Sequence, residues 1–390
     1  MGRAFLLRLV GREDGTTVMN TFGRSFRFTS FGESHGAAIG GVVDGMPAGV
    51  PVDPAYVQRL MARRRPGQPG MTGASARQEA DEVRFLSGIY EGRTLGTPVA
   101  FVMENRDARS ADYAAMADSY RPSHADDTYD AKYGWRDARG GGRASARETA
   151  ARVAAGALAQ CFLETAGVKV YAYTEQIGAV RCGAPYAAYD LARVYDAPLY
   201  CPAPDAAAAM EAELKRCAAE GDTVGGCVRG VIRGLPKGCG EPVYDKLTAR
   251  LAAAMMGINA ARGFEVGMGF EAAAMHGSEH NDAWAGVDAQ GVLRTECNLC
   301  GGVRGGISTG EDIWFRVAFK PIATLGRPVG LWHKQEGLRA QTVGGRHDVC
   351  CVPRAVPVVE AMAALTVADL LLAYRSRLPE TGGGTVPAHR

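Results

Sequence analysis

Three histidine-containing segments carry the residues of this chain best suited to proton transfer. His35 lies in GESHG at the end of the first predicted strand, His124 lies in RPSHAD within a loop, and Asp348 follows a histidine in GGRHD. Histidine titrates near neutral pH, and an arginine near an aspartate can keep that aspartate ionised as a base. A lone histidine is more often structural, so acid–base chemistry is favoured by the three segments taken together.

Many arginines accompany these segments. Guanidinium groups bind phosphates and carboxylates through paired N–H groups, so the set suits a ligand with several anionic groups. The formal net charge is only +2, so local clustering rather than total charge must create such a site, and a nucleic-acid partner is not expected. The arginines are Arg64, Arg121, Arg136, Arg139, Arg143, Arg147 and Arg346.

The segment GGGRASARETA, residues 140–150, predicts a helix start. Ser145 and Glu148 have the spacing of a capping box, and apolar residues recur with helical period as far as Cys161. Free N–H groups at a helix N-terminus, preceded by glycines, suit a phosphate. A glycine-rich turn with solvated arginines is the alternative, and the segment alone does not decide between them.

A second helix is predicted from Asp53 and Pro54 to RRRPG, which places three arginines in its last turn. Arginines there stabilise the helix dipole even without a ligand. The residues that follow, 66–82, and the later stretch 104–142 are predicted to be mainly loops, which often carry function.

Composition limits the class of protein. With 390 residues, 47% hydrophobic and 22% charged, the chain has the composition of a folded globular protein. Scattered cysteines and the lack of a signal peptide or a membrane-length apolar run favour the cytoplasm and no membrane partner. The pair Cys297 and Cys300 and the pair His276 and His280 lack the partners of a zinc site, so no metal is expected. Neither GxxxxGK[ST] nor GxGxxG is present.

The order of predicted elements indicates one mixed α and β domain over residues 19–376. Strand-like segments (VKVYAYT, GCVRGVIRGL, EVGMGFEAAAM, DIWFRVAFK) alternate with alanine-rich helices at 205–220, 244–257 and 355–375. Residues 1–18 are expected to be a dispensable or non-native extension, with Met19 a possible start, and residues 377–390 a disordered tail.

Seven motifs together closely resemble the chorismate synthase family in their order and spacing. They are FGESHG, RRRPG, RPSHADDTYDAKYGWRDARGGGRASARETAARVAAGA, INAARG, GGVRGGISTG, FKPIAT and GRHDVCCVPRAVPVVEAM. The resemblance runs from about Met19 to about Tyr374. It implies an α+β fold in which helices lie between antiparallel sheets, a β-α-β sandwich, assembled as a homotetramer.

The resemblance also implies a reaction. Enzymes of this family are carbon–oxygen lyases that remove phosphate and a C6 proton from 5-enolpyruvylshikimate-3-phosphate by anti-1,4-elimination, giving chorismate for aromatic amino-acid biosynthesis in the shikimate pathway. They require reduced FMN, with NADPH as the source of reductant. Because this chain has no large internal insertion, an external flavin reductase is expected.

Site residues follow by position from the resemblance. His35 would act near flavin N1, His124 would protonate the departing phosphate, and Asp348 would assist flavin N5 as base. The implied FMN-binding residues are Arg143, Ala144, Ser145, Asn259, Ala260, Gly305, Lys320, Pro321, Ile322, Ala323, Thr324 and Arg346. The implied substrate or NADP ligands are Arg64, Arg65, Arg77, Arg121, Arg139 and Arg147.

The chain departs from the family pattern after RRRPG. A further arginine usual there is replaced near Gly70, and Arg77 is the nearest arginine that a longer loop could supply. A non-catalytic flavin- or phosphosugar-binding protein on the same scaffold is the alternative function. Binding alone would not require His35, His124 and Asp348, so their presence favours the enzyme.

Overall fold

The computed structural model describes residues 20–67, 81–106, 117–289, 291–342 and 348–377. Within them the α-helices are α1 Pro54–Arg64, α2 Asp126–Tyr133, α3 Thr149–Glu164, α4 Pro204–Ala219, α5 Leu247–Met256, α6 Gly277–His280 and α7 Val352–Ser376. The extension 1–18 and nearly all of the predicted tail lie outside the described residues.

Two five-stranded antiparallel sheets form the outer layers. The first has the order β1–β2–β3–β7–β4, from β1 Thr21–Phe22, β2 Arg27–Phe31, β3 Ala38–Asp44, β7 Val99–Glu104 and β4 Arg84–Phe85. The second has the order β10–β9–β11–β17–β12, from β10 Val180–Arg181, β9 Lys169–Ile177, β11 Gly226–Arg233, β17 Ile313–Phe319 and β12 Ala261–Val266.

Small sheets and hairpins complete the described strands. A three-stranded sheet joins β19 Gly337–Gln341, β18 Val329–His333 and β8 Ser119–Tyr120. The two-stranded pairs are β5 Ile89–Tyr90 with β6 Arg93–Thr94, β13 Trp284–Val287 with β14 Leu293–Thr295, and β15 Val303–Arg304 with β16 Ile307–Ser308.

Helices α3 and α7 pack against each other between the two large sheets. Helix α3 contacts β2 and β3 of the first sheet, and α7 contacts β9 and β11 of the second. The two helices approach closely at Gly156, where an added Cβ would lie 2.3 Å from the Cβ of Ala361. This arrangement confirms the predicted α+β sandwich with helices between antiparallel sheets.

Helix α7 is mostly apolar, and most of its residues are buried. In the described part of the chain it alone is long and apolar enough to cross a membrane by length and composition, and 94% of its most apolar window is buried in the protein. A helix that is apolar on most of its surface is typical of a core position.

One local prediction was wrong, and one stretch predicted to be mainly loops also contains a short helix. The strand predicted over EVGMGFEAAAM ends at Val266, because Gly267 and Gly269 adopt positive φ and a 3₁₀ helix, Gly269–Ala274, follows. The stretch 104–142 contains helix α2, which sequence periodicity does not reveal because Asp126 is its only buried residue. Acidic residues in its first turn and Gly134 in the left-handed conformation after its last turn stabilise it instead.

Candidate active site

A cavity of about 780 Å³ lies beside the N-terminal end of α3. Its wall combines the end of α1, the turn that leads into α2, the glycine-rich segment before α3, and the chain around the ends of β12 and β17. Eight of its lining side chains are arginine or lysine and four are aspartate or glutamate. The wall therefore carries more positive charge than the chain as a whole, whose net charge is +2, and it suits an anionic ligand.

Most of the predicted site residues meet in this cavity. They come from six separate regions of the sequence, so the fold rather than sequence proximity assembles them. The lining includes His124, Asp348, Arg143, Ala144, Ser145, Asn259, Ala260, Lys320, Pro321, Ile322, Ala323, Thr324, Arg64, Arg121 and Arg147.

His35 lies directly behind this wall. Its side chain is buried, and its Nδ1 is 3.0 Å from the hydroxyl of Ser34. Gly140, which does line the cavity, packs so close that an added Cβ would be 2.5 Å from the same Nδ1. A glycine at 140 is therefore required by the imidazole that it covers.

Three further predicted residues that the structure describes, Arg65, Arg139 and Gly305, do not line the cavity. Arg139 pairs with Asp137 at the surface. Gly305 occupies the turn between β15 and β16 at φ +59, so the turn alone accounts for a glycine there. Arg77 and Arg346 lie outside the described residues.

The glycine-rich segment enters α3 through two short 3₁₀ helices, Gly142–Ala144 and Ala146–Glu148. Ser145 caps the second of them by accepting a hydrogen bond from the N–H of Arg147, as its N-cap position predicts. The predicted capping box does not form, because Glu148 instead accepts hydrogen bonds from Ser30 and Arg152.

Arg143 is held in the cavity wall by neutral groups. Its guanidinium donates to the hydroxyl of Ser30 at 2.7 Å, and Ser30 in turn donates to the buried carboxylate of Glu148 at 3.0 Å. No carboxylate of the described chain pairs directly with Arg143. Its charge is thus oriented but remains available to a ligand.

Lys320 and Arg262 have the same character. Lys320 directly follows β17, and Arg262 lies near the start of β12. These two strand ends are paired, and the N–H of Lys320 donates to the carbonyl of Ala260. Burial and then the charge of Arg262 lower the pKa of Lys320. Neither cation forms an ion pair within the described residues, and an anion between them would relieve their repulsion.

His124 is fixed at both ring nitrogens. Its Nδ1 lies 3.0 Å from the carbonyl of Pro122, which can only accept, so Nδ1 carries a proton. Its Nε2 lies 3.2 Å from the hydroxyl of Thr324. Burial, followed by the charge of Arg121, lowers the pKa of His124. A bound phosphate would oppose both effects and favour the imidazolium.

A buried carboxylate joins two other lining arginines. Asp81, which does not itself line the cavity, accepts a hydrogen bond from Arg64 at 2.6 Å and forms an ion pair with Arg147. Burial would raise the pKa of Asp81, but these two cations outweigh it and hold that pKa below its usual range. The carboxylate is therefore ionised and fixes both guanidinium groups.

Asp348 and Asp126 are also paired with arginines. Asp348 forms an ion pair with Arg354, whose Nε donates to the carbonyl of Arg64. Asp126 accepts two hydrogen bonds from the Arg121 side chain and lies 3.7 Å from Arg136. Burial opposes ionisation of Asp126, but the hydrogen bonds from Arg121 keep its pKa low.

Several lining residues were missed by sequence reasoning. Arg262 lies in the motif INAARG and Arg354 in the motif GRHDVCCVPRAVPVVEAM, so the sequence offered a signal for both. Trp135 and Tyr133 line the cavity although both are largely exposed. Asp81, which lies behind the wall, was also missed, because Glu79 and Glu82 stand beside it and nothing in the sequence distinguishes it from them.

Comparison with known proteins decides the family. A sequence model of chorismate synthase matches residues 26–372. This chain belongs to the chorismate synthase family. It is 49% identical to chorismate synthase of Parabacteroides distasonis over 92% of this chain and 99% of that protein. It is 52% identical to chorismate synthase of Porphyromonas gingivalis over 92% of this chain and 97% of that protein.

A solved structure agrees with the sequence matches. A chorismate synthase crystal structure superposes with a TM-score of 0.72 and 30% identity, and the match covers 90% of this chain and 93% of that one. The resemblance drawn from the motifs is thereby confirmed. The protein is a lyase of the chorismate synthase type, and the cavity is the candidate site of its reaction.

Proposed function

We propose that this protein catalyses the anti-1,4-elimination of phosphate and a C6 proton from 5-enolpyruvylshikimate-3-phosphate, giving chorismate with reduced FMN as cofactor. The observation that carries the proposal is the meeting of His124, Asp348 and the eight cationic side chains in one cavity. A substrate with one phosphate and two carboxylates would require such an excess of positive charge.

The residues present fit FMN. The cavity volume lies within the range of about 300–1,000 Å³ typical of small-molecule sites. Arg143 and Lys320 supply cations without carboxylate partners in the described chain, and the exposed rings of Tyr133 and Trp135 suit a planar aromatic ligand. Reduced FMN, when bound, would supply the transient electron density that the departure of phosphate requires.

His124 would act as the acid. In the imidazolium form its Nε2 proton can pass to a phosphate oxygen of the substrate, while Nδ1 stays hydrogen-bonded to Pro122. The hydroxyl of Thr324 holds Nε2 in place before the ligand arrives. Transfer of a proton to the leaving group contributes typically about 10²- to 10⁴-fold to the rate.

Asp348 would act as the base and the arginines as the anchors. The Arg354 partner keeps the Asp348 carboxylate oriented at the cavity wall. Arg64, Arg121 and Arg147 would bind the substrate's anions. His35, behind Gly140, would stabilise negative charge on the ligand side of that glycine.

Other parts of the proposed function come from the family resemblance and from the sequence. They are a homotetramer in the cytoplasm, NADPH as the source of reductant, a separate flavin reductase, and a single domain over 19–376. Gly305 would contact FMN, and Arg65, Arg77, Arg139 and Arg346 would serve as further ligands.

Anaerobic turnover tests the reaction. The protein is mixed with 5-enolpyruvylshikimate-3-phosphate and chemically reduced FMN, and chorismate and phosphate are measured with and without NADPH and a reductase. Equal amounts of both products without NADPH are expected. Tight binding of FMN and substrate without product would instead favour the non-catalytic alternative.

A further inference from the structure

Asp81 forms the most deeply buried charged contact beside the cavity. Its side chain is fully buried, and those of its partners Arg64 and Arg147 are 4% and 3% exposed. Each carboxylate oxygen binds a different arginine, with Oδ2 to Arg64 and Oδ1 to Arg147. One carboxylate therefore sets the spacing of two guanidinium groups that line the cavity.

The backbone around Asp81 is arranged for this placement. Asp81 has φ +47, a left-handed conformation that non-glycine residues adopt at some energetic cost. The side chain of Gln58 in α1 donates to the Asp81 carbonyl at 3.1 Å and accepts from the N–H of Val83 at 3.3 Å. The fold thus holds Asp81 in an unfavourable conformation from which its carboxylate reaches both arginines.

The two arginines differ in which hydrogen-bond donors remain available to a ligand. Arg147 is further anchored, since its Nε donates to Asn105 and its Nη2 to the carbonyl of Glu104. In Arg64 the buried Nε has no hydrogen-bond partner among the described residues. A buried donor without a partner is costly, and an anionic ligand would supply the acceptor.

We propose that Asp81 is a positioning residue for substrate binding, which holds the Arg64 and Arg147 guanidinium groups as a preformed anion cradle. This rests on the proposed function, because the anion is taken to be the substrate's phosphate or carboxylate. Without the carboxylate, two like charges in a buried space repel, and the cradle must be reassembled by each incoming ligand. Asp81 touches neither substrate nor cofactor in this proposal.

Three variants distinguish the positioning role of Asp81 from the effect of its charge and from any effect on the stability of the protein. Asp81→Asn removes the charge, and Asp81→Glu keeps the charge but moves it by one methylene. Glu175→Gln is the matched control, since Glu175 is also a buried carboxylate paired with Arg229 and Arg316, but these residues do not line the cavity. Thermal unfolding of all three measures the structural cost of each change.

Binding of inorganic phosphate, measured by calorimetry on the full chain, is the primary readout. We expect dissociation constants at least about tenfold higher in both Asp81 variants, and unchanged within about twofold in Glu175→Gln. Unchanged or tighter phosphate binding in Asp81→Asn would overturn the proposal, since added positive charge alone would then govern the site. Wild-type phosphate binding in Asp81→Glu, or none in the unmutated protein, would also overturn it.

Turnover provides the second readout. In the active enzyme the Asp81 variants are expected to lower kcat/KM by about 10²-fold, chiefly through KM, with oxidised-FMN affinity unchanged. An equal loss in Glu175→Gln would assign the effect to stability and overturn the proposal. If the unmutated protein turned nothing over but the phosphate pattern held, the proposed function would fail while the cradle stood.

Discussion

Two regions of this protein concentrate arginines and carboxylates, and only one of them lines the cavity described above. The cavity wall holds eight cationic side chains against four acidic ones. The other region, here called the sheet-face network, lies across the second sheet and contains Glu175, Arg181, Arg229, Glu265, Glu271 and Arg316. Its three arginines and three glutamates balance.

The difference lies in how completely the charges are neutralised. In the sheet-face network every arginine pairs with a glutamate from a neighbouring strand or from the 3₁₀ helix after β12, so the region needs no ligand. In the cavity wall Arg143, Arg262 and Lys320 have no acidic partner within the described residues. Uncompensated charge beside a cavity, rather than arginine content, is therefore the mark of the site.

The largest expected effect comes from removing the acid in the cavity wall. His124→Ala should lower kcat at least about 10²-fold while leaving KM and oxidised-FMN affinity nearly unchanged, because leaving-group protonation acts only in the transition state. Single-turnover absorbance with pre-reduced FMN measures this without depending on flavin reduction. A wild-type rate would leave His124 as part of the scaffold.

Asp348→Asn should lower kcat by about 10²-fold, since the amide keeps the shape of the carboxylate but cannot act as a base. The change also frees Arg354 from its ion pair, so its effect has two possible sources. Arg354→Met breaks the same pair and keeps the carboxylate. If both variants were equally slow, the ion pair rather than the base would account for the loss.

Arg64→Ala should raise the substrate KM or lower kcat/KM by about 2 kcal/mol, roughly thirtyfold, with oxidised-FMN affinity little changed. The free energy of unfolding should also fall, because within the described residues Asp81 keeps only Arg147 as a cationic partner. Steady-state kinetics and flavin titration in parallel separate these effects. Equal losses of substrate and FMN affinity would contradict assignment of Arg64 to the substrate.

The sequence revealed the regular parts of this architecture and the motif-bearing part of the site. Helix α1 begins after the Asp53 cap as expected, and Ser145 caps a helical turn, because both signals act within a few residues. Asp81 escaped prediction because its partner Arg147 is 66 residues away. Glu148 does not form the predicted capping box because Ser30, 118 residues away, and Arg152 donate hydrogen bonds to its carboxylate.

The pH profiles of kcat/KM and of kcat should differ, because the first reports the free enzyme and the second reports the enzyme with substrate bound. Burial lowers the pKa of His124, so the free enzyme loses the required proton at a pH below the ordinary value of about 6.5. A bound phosphate stabilises the imidazolium and moves that loss to higher pH. The alkaline fall of kcat/KM should therefore begin at lower pH than that of kcat.

Two variants test this assignment. His124→Gln should lack the difference between the two profiles, and Glu175→Gln, which changes the sheet-face network, should retain it. The measurement requires reduced FMN at saturation across the pH range. Coincident profiles in the unmutated enzyme would show that the ligand does not alter the protonation of His124.

The smallest effect is expected in the sheet-face network, and it tests whether the two regions are independent. Glu265 of β12 pairs with Arg316 of β17, and Lys320 of the cavity wall follows Arg316 by four residues along the chain.

Glu265→Gln should lower the free energy of unfolding by about 1–3 kcal/mol, because it weakens a mostly buried charge pair. Since Arg316 and Lys320 are joined by backbone already fixed by hydrogen bonds to β11 and β12, the strand should stay in register and kcat/KM should change less than about threefold. Urea unfolding and steady-state kinetics on the same preparation check both values. If activity falls more than the loss of stability can explain, β17 couples the two regions. In that case a region whose charges are neutralised could no longer be treated as independent of the site.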